Sequence, residues 1–285
     1  MLWARGIIRS HLKAFQQLFY SIAKRKPEPP ACPVSKMSSK APQISLVQVT
    51  LPLRRSGATD GRKPEAGLAE LCAKEDLSVL STDELERAER FRSLSALVTF
   101  VTVRSRLRRF LGRLLNAAPN QLHFSYGDEG KPSLAPPFDQ LHFNVSHTDG
   151  AAVMVASRET VLGVDIENTT RHVDLLALAK RYFSPSEYRQ LLEGDEAGRV
   201  HNFFRIWTAK EAYIKARARG LKIPLDQFSI ALDTQDDCRL GSTEHDPGAF
   251  NQWSLMRLKM PDPFVATLCH QMGLHGTIDI HELNV

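Results

Sequence analysis

Cysteine is scarce in this chain, and the four present (Cys32, Cys72, Cys238 and Cys269) form no Cys-x-x-Cys pair. That spacing excludes a zinc ribbon and a disulfide scaffold, and it reads as reduced thiols in an intracellular protein. No apolar run approaches the ~20 residues that cross a bilayer, so no transmembrane segment is expected. No tandem repeat is visible. The net charge of +5 and the pI of about 9.1 invite a nucleic-acid reading. Zinc-finger spacing, aromatic RNA-binding signatures and an Arg-rich recognition helix are all lacking, so nucleic acid is not the expected partner. Acidic residues are missing before Glu28, while Trp3, Ile7, Ile8, Leu12, Phe15, Leu18, Phe19 and Ile22 recur at helical spacing beside Arg5, Arg9 and Lys13. Such a basic amphipathic stretch reads as a mitochondrial presequence or a surface-binding helix. The competing reading takes Met37 as the true start and residues 1–36 as functionless. The expected location is cytoplasmic, or mitochondrial if the presequence is genuine.

What remains is enough for a sizeable core: 285 residues, 42% hydrophobic, fit one or two domains. A first strand is expected over Ile44 to Leu53, followed by a polar loop at 57–67. Ser81-Thr82-Asp83-Glu84 reads as a capping box opening a helix through about Arg92. A longer helix is predicted from Leu94 to Leu115, although Val98 to Val103 is rich in β-branched residues. Most of its arginines, at 104, 106, 108, 109 and 113, are expected in solvent. Strands are predicted near 121–126, 141–146, 151–157, 161–167, 226–232, 253–259 and 264–269. Helices are predicted near 185–193 and 199–218, the second closed by Gly220 as C-cap. Ser184-Pro185-Ser186-Glu187 is a second capping box with proline at the first helical position, which accounts for Glu187 structurally.

Chemistry concentrates in three places. Gly163-Val164-Asp165-Ile166-Glu167 sets two carboxylates two residues apart in an apolar, β-branched run, so on a strand they project from one face. Trp207-Thr208-Ala209-Lys210-Glu211-Ala212-Tyr213-Ile214-Lys215-Ala216 has helix-forming composition and stacks Glu211 under Lys215, four residues on. Leu141-His142-Phe143-Asn144-Val145-Ser146-His147-Thr148 is a half-buried strand ending in a hydroxyl and an imidazole, preceded by Gly127-Asp128-Glu129-Gly130-Lys131-Pro132. Each has an ordinary reading: a solvated sheet face, an i,i+4 pair worth roughly 0.3 kcal/mol, a strand-end histidine and a loop lysine. Together, three carboxylates beside basic residues describe a site for a hard cation shared with phosphate oxygens.

In order and spacing these segments resemble the motifs of the 4'-phosphopantetheinyl transferases, in their longer, surfactin-synthetase type. Arg181-Tyr182-Phe183-Ser184-Pro185-Ser186-Glu187-Tyr188 and Ile223-Pro224-Leu225-Asp226-Gln227-Phe228-Ser229-Ile230 extend the match, which covers about Ile44 to Leu268. The resemblance implies an α/β (α+β) fold of two similar halves with pseudo-two-fold symmetry. Small antiparallel sheets would pack with long helices, and the site would lie in the cleft between halves. The implied organisation is a tail and linker at 1–43, an N-terminal half at 44–157 and a C-terminal half at 158–285 carrying the metal site. The implied activity moves the phosphopantetheine arm of coenzyme A to a serine of an apo acyl- or peptidyl-carrier protein, releasing 3',5'-ADP, with Mg²⁺. Asp165, Glu167 and Glu211 would hold the metal, with Glu211 also taking the serine proton, directly or through water. Lys215 would neutralise the leaving phosphate, Ser146 and His147 would hold the pyrophosphate, Lys131 would sit by the adenine nucleotide, and Lys210 would be a further coenzyme A contact. A basic surface suits a carrier partner, since carriers are typically acidic, and one chain holding both halves is expected to act as a monomer.

One position departs from the family pattern. Arg90-Phe91 matches, but Thr99 stands where an arginine that grips the 3'-phosphate of coenzyme A is expected, leaving Arg92 or Arg104 as substitutes. Two alternatives therefore stay open beside the transferase. One is a coenzyme A- or carrier-binding relative with little turnover; the other is a metal-dependent phosphodiester hydrolase built on the same carboxylates.

Overall fold

Alternating apolar residues open the fold as a strand. The computed structural model describes residues 43–51, 77–127, 130–193, 195–218, 223–232, 238–243, 246, 248–272 and 279–282. The N-terminal amphipathic stretch, the 57–67 loop and Gly220 lie outside them. β1 (Gln43–Thr50) buries Ile44, Leu46 and Val47. It pairs antiparallel with β5 (Ala151–Ser157), which pairs antiparallel with β4 (His142–Thr148), and β11 (Asp279–Glu282) joins β1 in parallel. All seven residues of β5 are buried, which is why Ala-Ala-Val-Met-Val-Ala-Ser reads as small and apolar without alternation. β11, from beyond residue 158, thus adds a strand to the first sheet beside β1.

Two helices precede that central hairpin. α1 (Thr82–Glu89) is followed by α2 (Leu94–Leu115), whose bounds match the expected span. Its β-branched run stays helical because one face is taken into the interior: Leu97, Val101, Leu107, Phe110 and Leu111 are buried. Tertiary packing overrides propensity here. The helix stops at Asn116 in the left-handed region, with φ 51°. Two of its arginines are held by a carboxylate rather than by solvent. Arg108 is 1% exposed, its Nε 2.6 Å from Glu84 Oε2 and its Nη1 donating to the carbonyls of Pro119 and Leu122. Arg104 lies 3.3 Å from the same carboxylate and donates to the Tyr126 hydroxyl at 3.3 Å. Glu84 thus cancels charge that the sequence pattern assigns to water. A small hairpin of β2 (Phe124–Tyr126) and β3 (Pro132–Leu134) leads on to β4.

The second sheet has the order β6-β10-β9 and is antiparallel throughout, from β6 (Leu162–Asn168), β9 (Trp253–Leu258) and β10 (Phe264–Gln271). α3 (Leu175–Tyr182), not foreseen in the sequence, is capped by Asp174 Oδ1 accepting from Ala177 N at 3.0 Å. α4 (Pro185–Glu193) and α5 (Glu196–Arg217) follow. The described end of α5 is Ala218 in the left-handed region at φ 51°, two residues before the glycine expected to cap it. A further hairpin, β7 (Phe228–Leu232) with β8 (Cys238–Thr243), packs against α5.

Three apolar clusters stack these parts into layers. α2 covers the first sheet through Leu107 and Phe110 against Met154 and Phe143. Ile44, Val153 and Val155 meet Leu162, Val164 and Leu268, so the inner faces of the two sheets share one core. α5 covers the outer face of the second sheet through Phe203, Ile206 and Tyr213. The α/β class and the small antiparallel sheets packed with long helices are as expected. Among the described residues, no helix is long and apolar enough to cross a membrane.

Candidate active site

Period-two geometry on β6 decides where its side chains go. Leu162, Val164 and Ile166 point into the shared core, leaving Gly163, Asp165 and Glu167 for the face that meets α5. Gly163 lets the helix close: a Cβ there would lie 2.3 Å from Ala212 O and 2.3 Å from Ala216 N. No side chain fits that gap. The close approach brings Lys215 onto Asp165, with Nζ 2.6 Å from Oδ1. Ser146 on β4 donates its hydroxyl to the same oxygen at 2.8 Å and receives Lys215 Nζ at 3.0 Å. The other carboxylate oxygen, Asp165 Oδ2, is buried and has no hydrogen-bond partner.

Glu167 is held differently. Its Oε2 accepts from Arg171 Nη1 at 2.7 Å and from the Thr148 hydroxyl at 3.3 Å. Glu211, half-buried on α5, is pushed up to about 7 by burial first, then by the Asp165 and Glu167 carboxylates, with Lys215 pulling the other way. A carboxyl group so poised can exchange a proton near neutral pH.

Not every expected residue joins this cluster. Ser146 and His147 are neighbours on a strand and so face opposite ways; Ser146 is buried on Asp165, whereas His147 is exposed on the side of Phe143 and Val145. Lys131 reaches the site from behind. Its ammonium donates to Lys215 O at 2.7 Å and Leu162 O at 3.1 Å, clasping the end of α5 to the start of β6. Burial lowers its pKa to about 8. Lys210 is a correction. It is fully buried, donating to the carbonyls of Leu225 (2.7 Å) and Phe228 (2.5 Å), 2.9 Å from Glu187 and 4.2 Å from the centre of the Phe228 ring. Every donor on that ammonium has an interior partner, so it ties α5 to α4 and β7 and is no coenzyme A contact. Glu187 does serve its capping box, accepting from Ser184 N at 2.7 Å, and accepts from Ile230 N at 2.6 Å as well. Thr99 is half-buried on α2.

The donor set suits a hard divalent cation: Asp165 Oδ2 is a buried carboxylate oxygen with an unused lone pair, beside two further carboxylates. Among the described residues, no three such groups converge at ligand spacing, Glu167 being turned to Arg171. Sequence reading missed Asn144, Thr148 and Arg171. The first two stand two residues either side of Ser146, and that shared strand face was the available signal.

The model of the 4'-phosphopantetheinyl transferase superfamily matches residues 161–269, the span from β6 through most of β10. The 4'-phosphopantetheinyl transferase HetI of Nostoc sp. is 36% identical over 208 residues, covering 72% of this chain and 82% of that protein. The 4'-phosphopantetheinyl transferase Sfp of Bacillus subtilis is 33% identical over 187 residues, covering 60% of this chain and 80% of its own length. A crystal structure of holo-[acyl-carrier-protein] synthase from Neisseria meningitidis overlaps 39% of this chain and 97% of its own, at 20% identity and a TM-score of 0.33. The carboxylates Asp165, Glu167 and Glu211, with Lys215, all fall within the matched span, and this chain belongs to the 4'-phosphopantetheinyl transferase superfamily.

Proposed function

We propose that this enzyme transfers the 4'-phosphopantetheine arm of coenzyme A to a serine hydroxyl of an apo acyl- or peptidyl-carrier protein, releasing 3',5'-ADP, with Mg²⁺ as the cation. The observation that carries the reading is the two-sided use of Asp165. One oxygen is fixed by Ser146 and Lys215, and the other is buried without a partner. That arrangement suits a ligand whose place is set before the metal arrives. Asp165, Glu167 and Glu211 would hold Mg²⁺, which when bound would withdraw charge from the pyrophosphate oxygens and ease attack at phosphorus. Glu167 would first have to exchange Arg171 for the metal.

The protein's own groups supply the proton handling and the orientation. Glu211 takes the serine proton, directly or through water, as the serine oxygen bonds to the phosphorus carrying the pantetheine. The bond from that phosphorus to the bridging oxygen breaks, and the electron pair leaves on 3',5'-ADP. Lys215 sits beside Asp165 and neutralises the phosphate that departs. Ser146, on β4, fixes Asp165 and Lys215 for this step, and Lys131 keeps the two backbone segments behind them together.

Intact-mass analysis of apo acyl- and peptidyl-carrier proteins, each incubated with coenzyme A, Mg²⁺ and this protein, tests the reading. The expected result is a gain of one phosphopantetheine, abolished by chelation and reduced at least ~100-fold by Glu211→Ala. A carrier left unmodified by the wild-type protein, with coenzyme A bound, would overturn it.

A further inference from the structure

β6 lies at the edge of its sheet, so Val164 and Ile166 turn their N–H groups away from β10. Such an edge normally takes water or another strand. Here side chains fill it. Asn144 Oδ1 accepts from Val164 N at 2.8 Å, and Ser146 Oγ accepts from Ile166 N at 3.4 Å. Lys131 and Lys215 donate to the carbonyls of Leu162 and Val164. Asn144, Ser146 and Thr148, two apart on one face of β4, thus run alongside Val164, Asp165 and Glu167 as a ladder made of side chains.

Of this ladder, Asn144 is the member that bonds to the β6 backbone and to no carboxylate. It is 5% exposed, and its carbonyl oxygen is engaged by Val164 N, the amide between Gly163 and Asp165. Gly163 is pressed against α5 on one side, so the Asn144 contact fixes the same short segment from the other. A buried amide that loses its acceptor is left unsatisfied, and β6 regains a partner for it by shifting toward water or toward β4. Either shift carries Asp165 with it.

We propose that Asn144 is a positioning residue of the carboxylate site, holding the Val164 amide so that Asp165 presents its unpartnered oxygen to the cation. The proposal rests on the transferase reading for its function, but its geometry concerns the metal alone. The test uses the full chain with Mn²⁺ as the probe, titrated by electron paramagnetic resonance in wild type, Asn144→Ala and Asn144→Ser. Hydrogen exchange across 158–170 and phosphopantetheine transfer are followed in parallel. Neither shorter side chain spans the 2.8 Å contact now made by the amide oxygen, so both variants should bind Mn²⁺ about tenfold more weakly. Exchange should quicken in β6 while β9 and β10 stay protected, and kcat should fall with KM for coenzyme A little changed.

A residue that merely stabilises the fold would lower the melting temperature and leave Mn²⁺ affinity of the folded protein alone; that outcome overturns the proposal. So does failure of both variants to fold, which makes Asn144 a structural residue. If wild-type protein binds Mn²⁺ but modifies no carrier, the transferase reading falls, and the Mn²⁺ comparison still decides the role of Asn144.

Discussion

At the residue scale, Glu211 carries the clearest consequence. Its pKa is raised from 4.5 to about 7, so between those values the unfolded chain has released a proton that the folded, metal-free protein keeps. Stability therefore falls as pH rises through that window and levels off above it. The full shift corresponds to about 3 kcal/mol, and partial exposure to water trims it to on the order of 2 kcal/mol. Glu211→Gln cannot ionise. In chelator, the variant should gain stability relative to wild type between pH 5 and pH 8, read as a widening gap in thermal midpoint. Saturating Mg²⁺ should narrow the gap, because a cation favours the ionised carboxylate. A gap that stays the same at both pH values would remove Glu211 from the proton-transfer role. The sequence located this residue by its spacing from Lys215, but its raised pKa depends on burial and on Asp165, 46 positions away in the chain. Proximity of that kind leaves no mark in local sequence. Lys210 is the converse case: the same motif that sets Glu211 beside Asp165 and Lys215 puts its neighbour in the interior, because adjacent helical residues lie about 100° apart and face different surroundings.

At the scale of elements, the decisive relation is the closeness of β6 and α5. The strand and the helix were both legible, β6 from its β-branched run and α5 from its composition, each within a few residues of its observed bounds. Their separation was not legible, since nothing in Gly-Val-Asp-Ile-Glu says which neighbour the glycine admits. The structure answers with Ala212 and Ala216, two small residues one turn apart facing Gly163. Gly163→Ala would put a methyl group 2.3 Å from two backbone atoms, which rigid backbone cannot accommodate. The helix must retreat, at a cost of about 1–3 kcal/mol in overpacking. Because Glu211 and Lys215 ride on that helix, the site opens with it. We expect urea titration to show a loss of that size and carrier modification to drop at least ~100-fold, since misplacement by about 1 Å already costs that much. Wild-type activity in a destabilised but folded Gly163→Ala protein would show that the approach of α5 does not set the site. α3 and β8 were missed for a plainer reason, being too short for periodicity to register against turn-like neighbours.

For the whole molecule, the shared core between the sheets makes the site a joint product. β4 and β6 belong to different sheets, yet Ser146 and Asp165 must meet within 2.8 Å, and the packing of Ile44 and Val153 against Val164 and Leu268 holds them there together with the Asn144 and Thr148 bonds to β6. The layering of sheet on sheet follows from which alternate face of each strand is apolar, but that the two inner faces meet each other is a long-range choice that strand periodicity leaves open. β11 returning beside β1 is of the same kind. A protein built this way should unfold as one unit. Ile44→Ala removes a fully buried side chain from the first sheet and should cost about 2–5 kcal/mol. In a Trp3→Phe background, fluorescence reports Trp207 and Trp253 alone, both packed in the cluster beneath α5 and remote in sequence from residue 44. If the sheets share one cooperative transition, Ile44→Ala shifts the urea midpoint seen by these tryptophans by the same amount as the midpoint seen by far-ultraviolet circular dichroism. If instead the tryptophan midpoint holds while the dichroism splits into two steps, the first sheet melts independently. Ser146 could then leave Asp165 without unfolding β6, and the fixed oxygen on which the proposed metal site depends would be fixed only part of the time.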